Sequence, residues 1–188
     1  MRIIAGRLRG RDLGAVPEGV RPTSDRVRES LFSILGSVKG LSILDLFAGT
    51  GAFGLEAISR GAETVVFVDR SRQVVRELRG RIERLGLDES GVLRILTSDA
   101  KKAIRRLARE RGARFDLVFL DPPYEEGDRV GTLDALFESG ILADHARVVV
   151  EGPKRHPFPP RSGTVVLDER DYGDTTLTWL EASNPVGD

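Results

Sequence analysis

The sequence predicts a single α/β domain around a mostly parallel seven-stranded sheet. Three observations lead to this fold class. Apolar segments of strand length alternate with segments whose apolar residues recur at helical spacing, a glycine-rich turn follows the first strand of that series, and the last two strand-like segments flank one turn. Because such alternation is typical of βαβ units, helices are expected on both faces of the sheet, and an antiparallel hairpin closes it.

An extension precedes the sheet. Residues 2–14 are predicted to form a small β-hairpin with Gly6 and Gly10 near its turns, and a Pro/Gly-rich stretch then leads to an amphipathic helix at 24–35. The parallel strands are predicted at 42–47, 64–69, 92–97, 116–120 and 146–151, the helices at 52–60, 71–85, 100–111 and 129–139, and the closing hairpin at 164–170 and 175–181. Residues 1–40 therefore form the predicted extension, and residues 41–188 the main domain.

Composition excludes several classes of protein. The chain has no cysteine and two histidines, which rules out disulfides and thiolate metal sites and makes a zinc enzyme improbable, so we expect no metal. No apolar run approaches the roughly 18 residues that a membrane span needs. The first ten residues lack the apolar core of a signal peptide, and we therefore expect a cytoplasmic protein without a membrane partner.

The formal net charge is zero, but the charges are unevenly placed along the chain. Residues 1–30 carry seven arginines against four acids, residues 70–114 carry fourteen basic residues against six acids, and residues 116–188 carry six basic residues against fifteen acids. A polyanion would therefore have to meet a defined face of the protein. We interpret the basic segment 70–114 as solvated helix faces, whereas the four arginines before Asp12 favour a nucleic-acid contact.

The glycine-rich turn lies in "ILDLFAGTGAFGLEAISRGAETVVFVDRS". Gly49, Gly51 and Gly54 have the GxGxxG spacing of a dinucleotide site, and Asp69 follows the first glycine by twenty residues. A pyrophosphate would be repelled by Asp45, since the loop contains no Lys or Arg to offset that carboxylate. A cationic cofactor suits the loop better. S-adenosylmethionine has a sulfonium and an amino group, together with ribose hydroxyls and an adenine amino group that carboxylates can accept.

Four aspartates come at or just after the ends of successive strands: Asp45, Asp69, Asp99 and Asp121. Ligands of parallel α/β sheets bind beyond the carboxyl ends of the strands, so these carboxylates are expected to share one rim. Each also has a plain structural alternative. Asp45 or Asp99 could cap the following helix, and Asp69 could form an ion pair beside Arg70.

A second motif, "FDLVFLDPPYEEG", follows the fourth strand. The two prolines stiffen the chain so that the Asp121 carboxylate and the Pro122 carbonyl form a rigid pair of acceptors beside the Tyr124 ring. Such a pair can hold the exocyclic amino group of a planar base while the aromatic ring stacks on it. The alternative is a turn whose prolines merely end a strand.

Together, "DLFAGTGAFGLEA", "VFVD", "SDA" and "DPPY" resemble the class I S-adenosylmethionine-dependent methyltransferases that act on amino nitrogens. This resemblance covers roughly residues 41–151 and implies a Rossmann-like fold. The opening "MRIIAGRLRGRDL" with "RPTSDRVRESLFSIL" is similar to the bacterial family that methylates the N2 amino group of one guanine in small-subunit ribosomal RNA. With both parts, the resemblance spans nearly the whole chain, and it implies a monomer that acts on that RNA or on an assembling small subunit.

The resemblance also implies roles for single residues. Catalysis would involve Asp121, Pro122 and Tyr124, with Asp121 positioning the amino group or also accepting its proton. The cofactor would be held by Asp45, Phe47, Gly49, Gly51, Asp69, Arg70, Asp99 and Ala100. RNA would be contacted by Arg7, Arg9, Arg11, Arg21, Arg26 and Arg28. Arg26 or Arg28 could instead clamp the extension to the core.

Two other functions are compatible with these motifs. One is methyl transfer to a different amino group, either N6 of adenine in DNA or a protein glutamine, although the chain has no spare length for a domain that reads DNA bases. The other is a non-catalytic RNA-binding assembly factor.

Overall fold

The computed structural model describes residues 1–14, 25–89, 91–122, 126–154 and 164–182. It contains five α-helices and seven β-strands in these parts of the chain. The helices are α1 (Asp25–Leu35), α2 (Ala52–Ser59), α3 (Arg72–Arg84), α4 (Ala100–Leu107) and α5 (Glu126–Phe137). The strands are β1 (Ser42–Leu46), β2 (Thr64–Asp69), β3 (Leu93–Thr97), β4 (Phe115–Leu120), β5 (Leu142–Pro153), β6 (Thr164–Tyr172) and β7 (Thr175–Ala182).

The strands form one seven-stranded sheet with the order β3-β2-β1-β4-β5-β7-β6. The pairs β1–β2, β2–β3 and β4–β5 are parallel, while β7 pairs antiparallel with both β5 and β6. The predicted fold class, a mostly parallel sheet closed by an antiparallel hairpin, is therefore confirmed. Strand β5 begins four residues earlier than predicted, because a register shift opposite Phe115–Leu117 accommodates extra residues that include His145 at φ 59°.

The chain divides into two compact units, Met1–Ala100 and Lys101–Asp188. In the first unit, the apolar residues of β1 and β2 are buried, and all eight residues of α2 are buried with them. In the second unit, Leu117–Leu120 and Val148–Val150 are buried, and Trp179 of β7 is only 2% exposed. The strands read as continuous apolar runs because both faces of a parallel sheet are covered.

The extension packs with the first unit. Its hairpin is reduced to one antiparallel bridge, Arg2 with Asp12, supported by backbone hydrogen bonds from Ile3 to Arg11 and from Leu13 to Met1. Ile3, Leu8 and Leu13 are buried. The predicted boundary at residue 40 stays a prediction. Residues 1–14 belong to the same compact unit as β1–β3.

No helix in the described parts of the chain is long and apolar enough to cross a membrane. The described residues also contain no cluster of three or more His, Cys, Asp or Glu side chains that could hold a metal ion.

Candidate active site

The turn after β1 has an unusual backbone. Phe47, Gly49 and Gly51 all have left-handed conformations, with φ values of 62°, 53° and 74°. A phenylalanine rarely adopts this conformation, which costs on the order of 1–3 kcal/mol, and strain of this kind concentrates at ligand sites. The turn is held by backbone hydrogen bonds from Ala48 to the Val68 carbonyl and from Gly51 to the Ala48 carbonyl. We call residues 47–51 the cofactor loop.

Asp69, at the end of β2, connects this loop to the next helix. One carboxylate oxygen accepts a 3.0 Å hydrogen bond from the Gly49 amide, and the other accepts a 2.8 Å bond from the Ser71 amide. Ser71 in turn caps α3 by accepting from Val74. Because its hydrogen bonds go to backbone amides, Asp69 is positioned by the cofactor loop and not by the neighbouring Arg70, which is exposed. The carboxylate therefore stands in a fixed place at the strand end.

Asp45 lies beneath the cofactor loop. It is 2% exposed and accepts a 3.1 Å hydrogen bond from the Gly54 amide in the first turn of α2. Burial raises the pKa of the Asp45 carboxyl well above its usual range, and the charge of Asp69 adds to the rise, while the Gly54 hydrogen bond opposes it. This geometry corrects the prediction that four carboxylates share a rim, because Asp45 is a buried cap of α2. The capping alternative holds for this residue.

Two glycines of the GxGxxG pattern are required by packing. A Cβ at Gly54 would come within 2.3 Å of the Phe67 ring and 2.9 Å of Val65, so this glycine lets α2 lie close against β2. A Cβ at Gly51 would meet Leu78 of α3 at 2.3 Å, and its φ of 74° is unfavourable for other residues. The spacing thus reflects close helix packing as well as a ligand turn.

The end of β3 lies beside the end of β2. The Ser98 amide donates to the Asp69 carbonyl at 2.9 Å, and the Ser98 hydroxyl bonds the Asp99 carbonyl at 3.0 Å. Asp99 is half-buried, and Ala100 is buried at the start of α4. The structure therefore brings together the ends of β1, β2 and β3, with the predicted cofactor residues Phe47, Gly49, Gly51, Asp69 and Asp99 around them.

The second motif is located in the other compact unit. Asp121 directly follows β4 and is half-buried, and Pro122 is buried. Strand β4 is held by its parallel pairing with β5, in which Leu120 lies opposite Val150. The backbone that carries Asp121 and Pro122 is therefore anchored at a buried strand end. Tyr124 lies outside the described residues, and its stacking role stays a prediction.

The predicted RNA-contacting arginines separate into two groups. Arg7, Arg9, Arg11 and Arg26 are exposed, and Arg21 lies outside the described residues. Arg28, in contrast, is 1% exposed. It pairs with Asp25 at 2.9 Å, approaches Glu56 at 3.8 Å and donates to the Arg2 carbonyl. The RNA-contact assignment of Arg28 is corrected, because this side chain clamps the extension to the core.

Glu56 was missed by the sequence analysis. It is fully buried in α2, where its carboxylate accepts hydrogen bonds from the amides of Ile4 and Ala5 at 2.7 and 3.0 Å and from Arg60 at 2.8 Å. Arg81 plays a similar part, since it is 3% exposed and donates to the Leu13 carbonyl. The one available signal for Glu56 was its position as the only charged residue of a largely apolar helix.

Comparisons with known proteins agree with this geometry. A family model described as Conserved hypothetical protein 95 matches residues 1–181. Ribosomal RNA small subunit methyltransferase D of Escherichia coli (strain K12) is 39% identical over 162 residues, which cover 85% of this chain and 78% of the relative.

Solved structures give the same fold. The Escherichia coli methyltransferase candidate yhhF is 34% identical, with a TM-score of 0.83 and 97% of both chains covered. SMU.776, solved in complex with SAH, is 18% identical with a TM-score of 0.66, and 84% of this chain and 48% of that chain are covered; this likeness concerns the fold alone. The architecture is thus the Rossmann-like fold of class I methyltransferases, and the chain belongs to the family of Ribosomal RNA small subunit methyltransferase D.

Proposed function

We propose that this chain transfers a methyl group from S-adenosylmethionine to the N2 amino group of one guanine in small-subunit ribosomal RNA. The observation that carries the proposal is the Asp69 carboxylate, which accepts hydrogen bonds from the Gly49 and Ser71 amides and so supports the strained cofactor loop at the end of β2. The relatives named for small-subunit ribosomal RNA support the choice of substrate.

The residues around the cofactor loop fit S-adenosylmethionine, which supplies an electrophilic methyl group on a sulfonium when bound. Each oxygen of Asp69 uses one acceptor position on the backbone and keeps capacity for a ribose hydroxyl. Asp99 is proposed to accept from the adenine amino group. Burial raises the pKa of the Asp45 carboxyl, and a cation bound nearby would favour the ionised form of this carboxyl. Phe47, Arg70 and Ala100 complete the proposed cofactor contacts.

Asp121 and Pro122 hold the acceptor in this proposal. The lone pair of the guanine amino group is delocalised into the ring, so the nitrogen is a weak nucleophile until its geometry becomes more tetrahedral. The Asp121 carboxylate and the Pro122 carbonyl accept the two N–H groups and favour that geometry as positive charge develops on the nitrogen, which then releases one proton to Asp121 or to water. Most of the rate enhancement then comes from positioning, and Tyr124 is proposed to stack on the base.

The exposed arginines are the proposed RNA contacts: Arg7, Arg9, Arg11, Arg26 and, outside the described residues, Arg21. Phosphate contacts of this kind orient a protein on RNA without reading its sequence. We propose a monomer that acts in the cytoplasm on an assembling small subunit, where the target guanine is still accessible.

The substrate is tested by mapping methylated guanine in small-subunit ribosomal RNA by mass spectrometry. Cells that lack the gene are compared with cells that carry the wild-type, Asp121→Ala or Asp144→Ala copy; Asp144 is an exposed aspartate of the same unit and serves as the control. One N2-methylguanine should disappear on deletion and return with the wild-type and control copies alone. An unchanged pattern would reject the ribosomal substrate, and protein glutamine or DNA adenine would then be tested.

The cofactor site is tested separately by titrating S-adenosylmethionine calorimetrically. Asp69→Ala should raise Kd by about 100-fold, about 2.7 kcal/mol, because both the ribose contact and the support of the cofactor loop are lost. Glu63→Ala, an exposed acid next to β2, should leave Kd unchanged. Equal affinities for the wild-type protein and Asp69→Ala would contradict this placement of the cofactor.

A further inference from the structure

The position of the extension determines where its arginines can meet a ligand. The Arg7 amide donates to the Ser59 carbonyl at 2.8 Å, and the Leu8 amide donates to the Ser59 hydroxyl at 3.0 Å. A Cβ at Gly6 would stand 1.9 Å from the Ser59 carbonyl oxygen, so only glycine allows this close approach. Residues 6–11, which we call the tip, are therefore docked at the carboxyl end of α2.

This end of α2 is remote from the cofactor loop. Helix α2 begins directly after that loop and has eight residues, so its two ends are about 12 Å apart at a rise of about 1.5 Å per residue. Arg7 lines a cleft with Leu93, the first residue of β3, and with residues that follow α3. The tip thus lies toward the amino ends of the parallel strands, whereas the cofactor loop lies at their carboxyl ends.

The cleft beside the tip has a volume of about 210 Å³. We call it the tip cleft; its walls are Ile58, Leu87, Val92 and Leu93, with Arg7 and Asp88 as its charged residues. Val92 is 42% exposed, so part of this apolar side chain is open to solvent. Apolar walls with a guanidinium and a carboxylate suit a planar base, since arginine stacks on base faces and a carboxylate accepts from an amino group.

The charge of the tip favours a polyanion. Arg7, Arg9 and Arg11 are all exposed, and no acid precedes Asp12 in the sequence. A phosphate next to a base in the cleft would lie near Arg7, which lines the cleft, and Arg9 and Arg11 belong to the same turn. Only an unpaired nucleotide can present its face in this way, which makes single-stranded RNA the fitting partner.

We propose that the tip and the tip cleft form a second RNA-binding site, which holds an unpaired nucleotide at the edge of the first unit opposite the cofactor loop. The site rests on the proposed function in that RNA is the substrate. It adds an RNA contact at the end of α2 opposite the cofactor loop.

The charge contribution is tested with protein-free small-subunit ribosomal RNA transcripts in filter-binding assays over a series of salt concentrations. The triple variant Arg7→Gln/Arg9→Gln/Arg11→Gln is compared with Arg105→Gln/Arg109→Gln/Arg111→Gln, which removes the same charge from exposed positions on and after α4. The tip variant should bind about tenfold more weakly, and its salt slope should fall by about two, at about 0.7 per phosphate contact. Equal losses in both variants would show general electrostatic attraction and overturn the site.

The cleft is tested by ultraviolet cross-linking and by two substitutions at Val92. Cross-linked nucleotides should be found by mass spectrometry on peptides that contain residues 1–14 or 86–93. Val92→Asp should weaken RNA binding several-fold through its charge, while Val92→Thr, of similar shape, should not. Absence of the cross-link together with unchanged binding by Val92→Asp would overturn the cleft as a nucleotide site.

Two readouts separate this site from the proposed function and from a protein partner. RNA binding is measured without methyl transfer, so the tip site is judged even if the wild-type protein fails to methylate ribosomal RNA. Conversely, the tip variant should retain the affinity for S-adenosylmethionine, because the tip is docked at the carboxyl end of α2 and the cofactor loop precedes its amino end. If the tip variant loses affinity for small-subunit particles but not for protein-free RNA, the tip contacts a ribosomal protein and the RNA site is rejected.

Discussion

Near the cofactor loop, the burial and the hydrogen-bond partners of each charged side chain decide its role. Asp45 and Asp69 both follow the sequence expectation of an acid at a strand end, yet Asp45 caps α2 from beneath while Asp69 braces the loop. Arg28 likewise has the positive charge expected of an RNA contact, but it is buried and clamps the extension to the core. In each case the environment of the side chain, and not its type, sets its role.

The pH dependence of stability should reveal the buried Asp45. Its pKa in the folded state is raised by burial above the unfolded value of 3.8, so its contribution to stability is fully present below about pH 3.8 and is lost as pH rises through the folded pKa. The free energy of unfolding of the wild type, relative to Asp45→Asn, should therefore fall as pH increases from 4 to 8. Urea unfolding at several pH values measures this difference, and a constant difference would contradict the assignment.

Substitution by alanine should change the free energy of unfolding in opposite directions at two helix glycines, Gly54 and Gly80. Gly54→Ala forces a methyl group against the Phe67 ring and should cost about 1–3 kcal/mol of unfolding free energy. Gly80→Ala is the matched control in α3, where the nearest atom is an Arg84 guanidinium nitrogen at 3.5 Å, and it should stabilise by up to about 1 kcal/mol. Chemical denaturation compares the two; an equal effect of both would mean that α2 can move away from β2.

At the scale of elements, α2 links two parts of the proposed function. Its amino end receives the Asp45 cap and follows the cofactor loop, and its carboxyl end carries Ser59, which holds the tip. Glu56 in the middle fixes the extension through two backbone amides and sits near Arg28 and Arg60. One short helix therefore positions both the cofactor loop and the tip.

Glu56→Gln should loosen the extension from α2. The neutral side chain leaves the buried Arg28 guanidinium with less compensation and weakens the bonds to Ile4 and Ala5, which should cost about 3 kcal/mol. Urea unfolding measures the cost, and trypsin should cleave faster at the arginines of residues 1–14. Glu63→Gln, an exposed control, should change stability by less than about 0.5 kcal/mol. An unchanged digestion pattern would show that Glu56 does not hold the extension.

At the scale of the whole molecule, net charge and exposed apolar surface determine how readily copies of the chain associate. The formal net charge is zero at pH 7, so little net repulsion separates copies of the chain near neutral pH. Strand β6 is at one end of the strand order, and its Val165, Val166 and Leu167 are each about half exposed. Edge strands with exposed apolar side chains favour pairing between molecules.

Val166→Lys should therefore reduce self-association without loss of stability. Val166 is 51% exposed, so the free energy of unfolding should change by less than about 0.5 kcal/mol, while the added charge discourages edge pairing. Light scattering over a concentration series measures the onset of association, with Val166→Thr as an uncharged control of similar shape. The same onset for the wild type and Val166→Lys would exclude this strand as the cause.

Local patterns were enough to predict the succession of strands and helices along the chain, the fold class and the family motifs, because hydrophobic periodicity and glycine spacing are local properties of the chain. The spacing of twenty residues between Gly49 and Asp69 was visible in the sequence, whereas the hydrogen bond between them was seen only in the structure. The folded structure was needed to show that Asp45 and Arg28 are buried, that Glu56 holds the extension, and that the tip lies at the carboxyl end of α2. Burial and long-range hydrogen bonds depend on which segments pack together, and no local pattern in the sequence specifies that.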